Sequence, residues 1–242
     1  LLFKIINFTY KFAFKNIVVS QTIKKEFEKF TKLNTNKIIV INNGIKFDAI
    51  DLKKDSSLRQ KLFDISKDTL CAVSIGNLKP QKNFMNLLKA FKVVLRKLKI
   101  NLYIIGDGAE KKNLKNYILN NNLNNNVFLL GYKENVIPYL SNADLFINSS
   151  DYDGFPLVLI EALISKIKIV STDCESGPSE ILKNGKYGLL VPIKDYQALA
   201  SAIMQSFENV KYNSDYDEIL KNYSIEGVSL KYIKVFDLDE SK

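Results

Sequence analysis

The chain has 242 residues, 46% of them hydrophobic, with a formal charge of +9, two cysteines and no histidine. That length and apolar content can bury the core of one large domain or one and a half, and no run of eighteen or more uncharged apolar residues marks a membrane span. Without histidine, Ser-His and Cys-His nucleophilic dyads and imidazole metal sites are excluded, so any chemistry falls to carboxylates, lysines, hydroxyls and backbone dipoles.

The sequence opens on Leu1 without a charged leader or a small-residue cleavage site, and reads as mid-protein. Residues 1–14 are apolar, with Lys4, Lys11 and Lys15 at helical spacing. They are expected to pack against a further domain or an anionic membrane surface. A strand over 17–20, a charged helix over 21–33 and a strand over 37–41 follow, and Asn43-Gly44 predicts a turn. Residues 1–44 are therefore expected to be the last layer of a preceding domain.

From residue 70 a steady alternation sets in. Strands are predicted over 70–75, 101–105, 127–130, 144–148, 167–171 and 188–191. Between the first two, Phe84, Leu87, Leu88, Phe91, Val94, Leu95 and Leu98 share one helix face. Behind Asp195 as an N-cap, Tyr196, Leu199, Ala200, Ile203 and Phe207 form another. Strands apolar on both faces and separated by helices imply a parallel sheet covered on two sides. The expected fold is α/β, a doubly wound, Rossmann-like sheet over residues 45–225. A terminal amphipathic helix over 226–242 carries Val228, Tyr232, Val235 and Phe236 on one face. Cys71 and Cys174 sit in or just after apolar runs, as buried thiols in a reducing cytosol would. Lys89, Lys92, Arg96, Lys97 and Lys99 fall on outer helix faces, without the aromatic-basic interleaving of RNA binders. No nucleic-acid partner is expected; the charge suits phosphorylated ligands or an anionic membrane surface.

A doubly wound sheet binds ligands at the carboxyl ends of its strands, near the point where strand order reverses. The loops there are glycine- or proline-marked and polar. They comprise Gly76-Asn77-Leu78-Lys79-Pro80-Gln81-Lys82, Gly106-Asp107-Gly108, Gly131-Tyr132-Lys133, Ser149 through Pro156, and Thr172 through Pro178. The most informative is Ser149-Ser150-Asp151-Tyr152-Asp153-Gly154-Phe155-Pro156, which runs on to Glu161. A helix is expected to begin at Pro156, where the missing N–H costs nothing. The free N–H groups of its first turn suit a phosphate. Asp153 precedes the helix and Glu161 lies about two turns along it. One carboxylate can thus meet a ligand at the loop while the other reaches hydroxyls from the helix flank. On spacing alone, an N-terminal acid complementing the dipole plus an ordinary solvated glutamate fits equally well.

A carboxylate, Gly-Phe-Pro and a second carboxylate after seven intervening residues resembles the signature of family 4 glycosyltransferases, retaining enzymes of GT-B fold. The surroundings resemble the family in order. Gly76-Asn77-Leu78 with Lys82-Asn83 is similar to its Gly-Arg-Leu and later lysine, Gly106-Asp107-Gly108 to its Gly-x-Gly-Pro turn, and Val127 through Gly131 to its Val-x-Phe-Leu-Gly strand. Ser176 through Glu180, with Gly185 and Gly188, resembles its downstream glycine-glutamate region. Upstream, Val18-Val19-Ser20 and Val40 through Ile45 resemble the exit from the first domain into the hinge.

This resemblance implies a catalytic set of Lys82, Asp153 and Glu161. Lys82 would lie near the donor diphosphate and offset leaving-group charge, and Glu161 would hold the ribose hydroxyls. Asp153 and the backbone of Gly154 and Phe155 would face the donor sugar and its phosphates, and Gly131 and Tyr132 would border the nucleobase. Asn77 stands where the family usually has an arginine, bringing hydrogen bonds without charge; Lys79 is a candidate for the missing cation. Asp153 is one methylene shorter than the usual glutamate. The implied reaction moves a hexose-type sugar from a UDP-sugar to a glycan or lipid-linked acceptor with retention, without metal or cofactor. It would take place in the cytoplasm, with peripheral contact at the inner face of the membrane as an option. Two competitors stand beside it: a nucleotide-sugar-binding fragment without activity, and a GT-B epimerase or hydrolase. A rival reading of Asp151-Tyr152-Asp153 as an Asp-x-Asp metal clamp on the diphosphate, as in the other large glycosyltransferase fold, also stays open.

Overall fold

The computed structural model describes residues 8–46, 54–66, 68–208 and 216–237. After a helical stretch over residues 8–12 comes a small parallel sheet made of β1 (Asn16–Val18) and β2 (Ile38–Val40). Between them runs α1 (Gln21–Thr31), whose N-cap Ser20 accepts the N–H of Ile23 at 3.2 Å. This helix stops short of the predicted residue 33 because Lys32 turns left-handed, at φ 52°, and its N–H closes on the Glu28 carbonyl. After α2 (Ser56–Phe63) the alternation is regular. It runs β3 (Leu70–Ile75), α3 (Phe84–Val94), β4 (Ile100–Ile105), α4 (Lys111–Asn120), β5 (Val127–Gly131), α5 (Ile137–Asn142) and β6 (Leu145–Asn148). It continues through α6 (Leu157–Ile164), β7 (Lys168–Thr172), α7 (Pro178–Ile181), β8 (Leu189–Val191) and α8 (Tyr196–Gln205), and ends on α9 (Tyr216–Tyr223) and α10 (Ile225–Asp237).

All six later strands pair in parallel, in the order β5-β4-β3-β6-β7-β8. The chain steps outward through β4 and β5, then returns to lay β6 beside β3, so the order reverses between those two strands. The period-2 alternation of each strand explains the two covered faces. Ala72, Leu102, Ile104, Leu145 and Ile147 point to the layer of α3 and α8, where Leu87, Leu88, Phe91, Leu199 and Ile203 are buried. Cys71, Val73, Tyr103 and Phe146 point to the opposite layer, which α6 fills with Leu159, Ile160 and Leu163. The Tyr103 hydroxyl donates to the Phe63 carbonyl at 2.6 Å, so even this buried phenol is satisfied.

Asn43-Gly44 does not turn. The segment runs on to Ile45, which forms a parallel bridge with Ser224 and donates its N–H to the Tyr223 carbonyl at 2.8 Å. An Asn-Gly turn serves antiparallel neighbours, whereas the strand before this one pairs in parallel. Gly44 instead allows close approach, since a Cβ there would lie 3.3 Å from Ile225 Cα and from Val228. The four-residue face expected on the last helix is also split. Val228 and Val235 pack on Ile41 and Ile39 of the first lobe, while Tyr232 and Phe236 are exposed.

Part of the predicted segment 1–14, residues 1–7, lies outside the described residues. In the remainder Phe8, Phe12 and Phe14 are exposed, and Tyr10 sets its ring edge-on to Phe27 at 4.8 Å. Cys71 and Cys174 are free and buried. Burial pushes the Cys71 thiol well up and the Cys174 thiol to about 11, which keeps both protonated. Among the described residues no helix is long and apolar enough to cross a membrane.

Candidate active site

The loops after β3 and β6 meet where the strand order reverses, as a ligand crevice requires. The β3 loop crosses the β4 loop so tightly that a Cβ on Gly106 would lie 2.0 Å from the Gly76 carbonyl oxygen. It then makes a 3-10 turn, Pro80–Lys82, and Asn83 adopts the left-handed conformation at φ 43°. From there the Asn83 side chain accepts the Asn86 N–H at 3.1 Å and caps α3. The turn is stitched to the β6 loop. Ser149 Oγ donates to the Lys82 carbonyl at 2.9 Å and the Asp151 N–H to the Gln81 carbonyl at 2.9 Å.

These bonds bring Lys82 onto Asp153. The lysine stem lies over Gly76, where a Cβ would stand 3.2 Å from Lys82 Cε. Its Nζ donates to the Asp153 carboxylate in an ion pair whose side chains are only 16% and 15% exposed. Removal from water makes such a charge-assisted contact stronger than a surface pair. The Asp153 carbonyl in turn accepts Ser176 Oγ at 2.9 Å.

The pair opens on a cavity of about 450 Å³ that also takes in Asn77, Tyr132, Phe155 and Glu161. Ile75, Ile105, Val136, Leu157 and Val158 supply an apolar wall. Glu161 reaches it from α6, and among the described residues its carboxylate has no hydrogen-bond partner. Burial raises its pKa. A half-buried carboxylate without a donor is costly and is suited to accept hydrogen bonds from a polyol.

Of the sequence-predicted residues, Asn77, Lys82, Tyr132, Asp153, Phe155 and Glu161 line this one cavity. Tyr132 is 71% exposed, whereas Phe155 is 8% exposed and anchors the loop against Tyr223. Gly131 and Gly154 are not among the lining residues. Gly131 ends β5 at φ 71°, and Gly154 faces outward to α1, where its Cβ would lie 3.8 Å from Ile23 Cδ1. Lys79 is exposed and is not among the lining residues. Pro156 is the N-cap, at ψ 99°, and the helix begins one residue later than predicted, at Leu157. Asp151 turns away, both carboxylate oxygens accepting the Asn83 amide at 2.9 Å. The two acids of the Asp-x-Asp pair thus have different partners, and only Asp153 lines the cavity. Lys133, named in the Gly131-Tyr132-Lys133 loop without a role, also lines the cavity, and sequence reading missed Glu134 beside it. The signal for Glu134 was present, since it directly follows that loop.

The Lys82–Asp153 pair and the half-buried Glu161 thus share one apolar-walled cavity. Residues 57–223 match the family described as glycosyl transferases group 1. The chain is 35% identical over 205 residues to an uncharacterised glycosyltransferase of Methanocaldococcus jannaschii, across 77% of this chain and 50% of that protein. It is 32% identical over 173 residues to the N-acetylgalactosamine-N,N'-diacetylbacillosaminyl-diphospho-undecaprenol 4-alpha-N-acetylgalactosaminyltransferase of Campylobacter jejuni, across 71% of this chain and 46% of that enzyme. Among solved structures, Anabaena HepE in complex with UDP and glucose superposes with a TM-score of 0.82 at 22% identity, over 96% of this chain and 65% of that one. The chain spans about half the length of the curated relatives it matches. In fold it corresponds to the GT-B glycosyltransferases over most of its length. The chain belongs to the group 1 glycosyltransferases, the family 4 enzymes, and covers mainly their C-terminal portion.

Proposed function

We propose that this chain binds the donor of a retaining sugar transfer, a UDP-hexose, in the crevice between β3 and β6, for delivery to a glycan or lipid-linked acceptor. The observation that carries the reading is the Lys82–Asp153 pair in one cavity with Glu161, whose carboxylate has no partner among the described residues. Lys82 meets the diphosphate and offsets the charge that develops as it leaves. Asp153 gives up part of its hold on Lys82 and turns to the sugar hydroxyls, while Glu161 accepts the ribose hydroxyls. Ile75, Ile105 and Val136 keep water from the base and strengthen each polar contact. No divalent ion enters this scheme. Peripheral contact with an anionic membrane surface is supported by the net charge of +9 and the exposed Phe8, Phe12 and Phe14.

A second reading, a donor-binding fragment without transfer, is favoured by Asn77 in place of a cation. Calorimetry separates the binding claim from the catalytic one. Lys82→Ala should weaken UDP binding by about 1.5–3 kcal/mol, the worth of a hydrogen bond to a charged group. The loss has two sources of one sign, because the change also leaves the Asp153 carboxylate unneutralised beside the phosphates. Equal affinity of the two proteins would sink the assignment of Lys82, and failure of the wild-type chain to bind UDP would sink both readings. UDP binding without sugar transfer by the complete gene product would leave only the second.

A further inference from the structure

We infer that Glu180, outside the cavity, is a positioning residue that sets the small first lobe against the donor loop; the inference rests on the transferase reading above. Glu180 sits on α7 in the large domain, yet both its carboxylate oxygens reach the first lobe. Oε2 accepts the N–H of Gln21 at 2.8 Å, and Oε1 accepts the Asn42 side-chain amide at 3.2 Å. The same amide donates to the Val19 carbonyl at 2.9 Å. Gln21 is the first residue of the eleven-residue α1, so the carboxylate also meets the positive end of a helix dipole. One half-buried side chain thereby ties the end of β1, the start of α1 and the exit from β2.

The other side of that contact is the donor loop. Ser176, at the entry to α7, donates to the Asp153 carbonyl at 2.9 Å. Gly177, at φ 105°, presses so close that a Cβ would stand 2.6 Å from Pro156 Cδ. From the first lobe, Ile23 of α1 faces Gly154. Residues 153–156 are thus held between α1 and the turn that carries Glu180, and Glu180 is the polar clasp between those two holders. An interlobe glue with no bearing on the reaction would show only in stability. A positioning residue would show in turnover, because a reacting pair displaced by even a small distance loses rate.

Glu180→Ala should leave UDP affinity within about twofold of wild type, since the carboxylate does not line the cavity. In the complete gene product it should lower kcat of transfer about 10- to 100-fold with donor KM unchanged, the equivalent of a lost charge-assisted bond. Glu180→Gln keeps one acceptor for the Gln21 N–H and should recover part of kcat, and Asn42→Ala should fall between. Should Glu180→Ala not fold, Asn42→Ala carries the same test. A kcat equal to wild type, with only the melting temperature lowered, would overturn the inference. So would a loss of UDP affinity that parallels the loss of kcat. Failure of the wild-type chain to bind UDP is a different result and overturns the proposed function instead.

Discussion

Replacing Glu161 by glutamine should weaken nucleotide binding and stabilise the empty protein in one step. The carboxyl sits half-buried on α6, burial raises its pKa, and no donor among the described residues compensates it. A pKa raised in the folded state means that the ionised form opposes folding. That cost is fully present above the folded pKa and is relieved as pH falls through it toward the unfolded value. Neutral glutamine removes the cost at pH 7.5, and each kcal/mol of relief should raise Tm by about 2–4 °C for a chain of this size. The advantage should shrink as the pH is lowered and wild-type Glu161 takes up its proton. Binding moves the other way. A hydroxyl bonded to a carboxylate is worth about 1.5–3 kcal/mol and to a neutral amide about 0.5–1.5, so UDP should bind about tenfold more weakly. Calorimetry with UDP and with its 2′,3′-dideoxy analogue separates the causes, because the penalty should vanish when the ribose hydroxyls are absent. Equal UDP affinity in the two proteins would refute the ribose assignment. A Tm difference that is absent at every pH would refute the burial argument.

The paired acids make a second test in the complete gene product. Asp153→Glu should preserve or raise transfer, Asp151→Ala should do little beyond loosening Asn83, and activity should survive EDTA. Strict dependence on magnesium or manganese would reassign the pair. Gly106→Ala should be severe, because φ 146° and the Gly76 carbonyl 2.0 Å from the added Cβ force the β3 and β4 loops apart. We expect a loss above about 2 kcal/mol in urea unfolding together with weaker UDP binding; a near-neutral effect would mean the loops separate freely.

Much of this protein was written locally. The six strands follow from short continuous apolar runs and the helices between them from recurrence at three to four, which each segment displays within its own length. Predicted strand ends differ from the observed ones by about one residue, the usual fraying of boundaries. The loops that could hold a ligand were legible for the same reason, since glycine and proline mark them directly. Other decisions need partners far away in the chain. Nothing within β3 or β6 says that they are neighbours; that follows from how both layers of helices bury their faces at once. Asn43-Gly44 reads as a turn by itself, yet α10 and the bridge of Ile45 to Ser224 hold it extended. Asp151 and Asp153 look alike two residues apart, and only the approach of Asn83 and Lys82 from the β3 loop separates their roles. Glu180 carried no signal that it reaches Gln21, 159 residues earlier. Local sequence sets backbone preference within a few residues, whereas the partner of a charged side chain depends on where distant backbone lies, and only the packed core determines that.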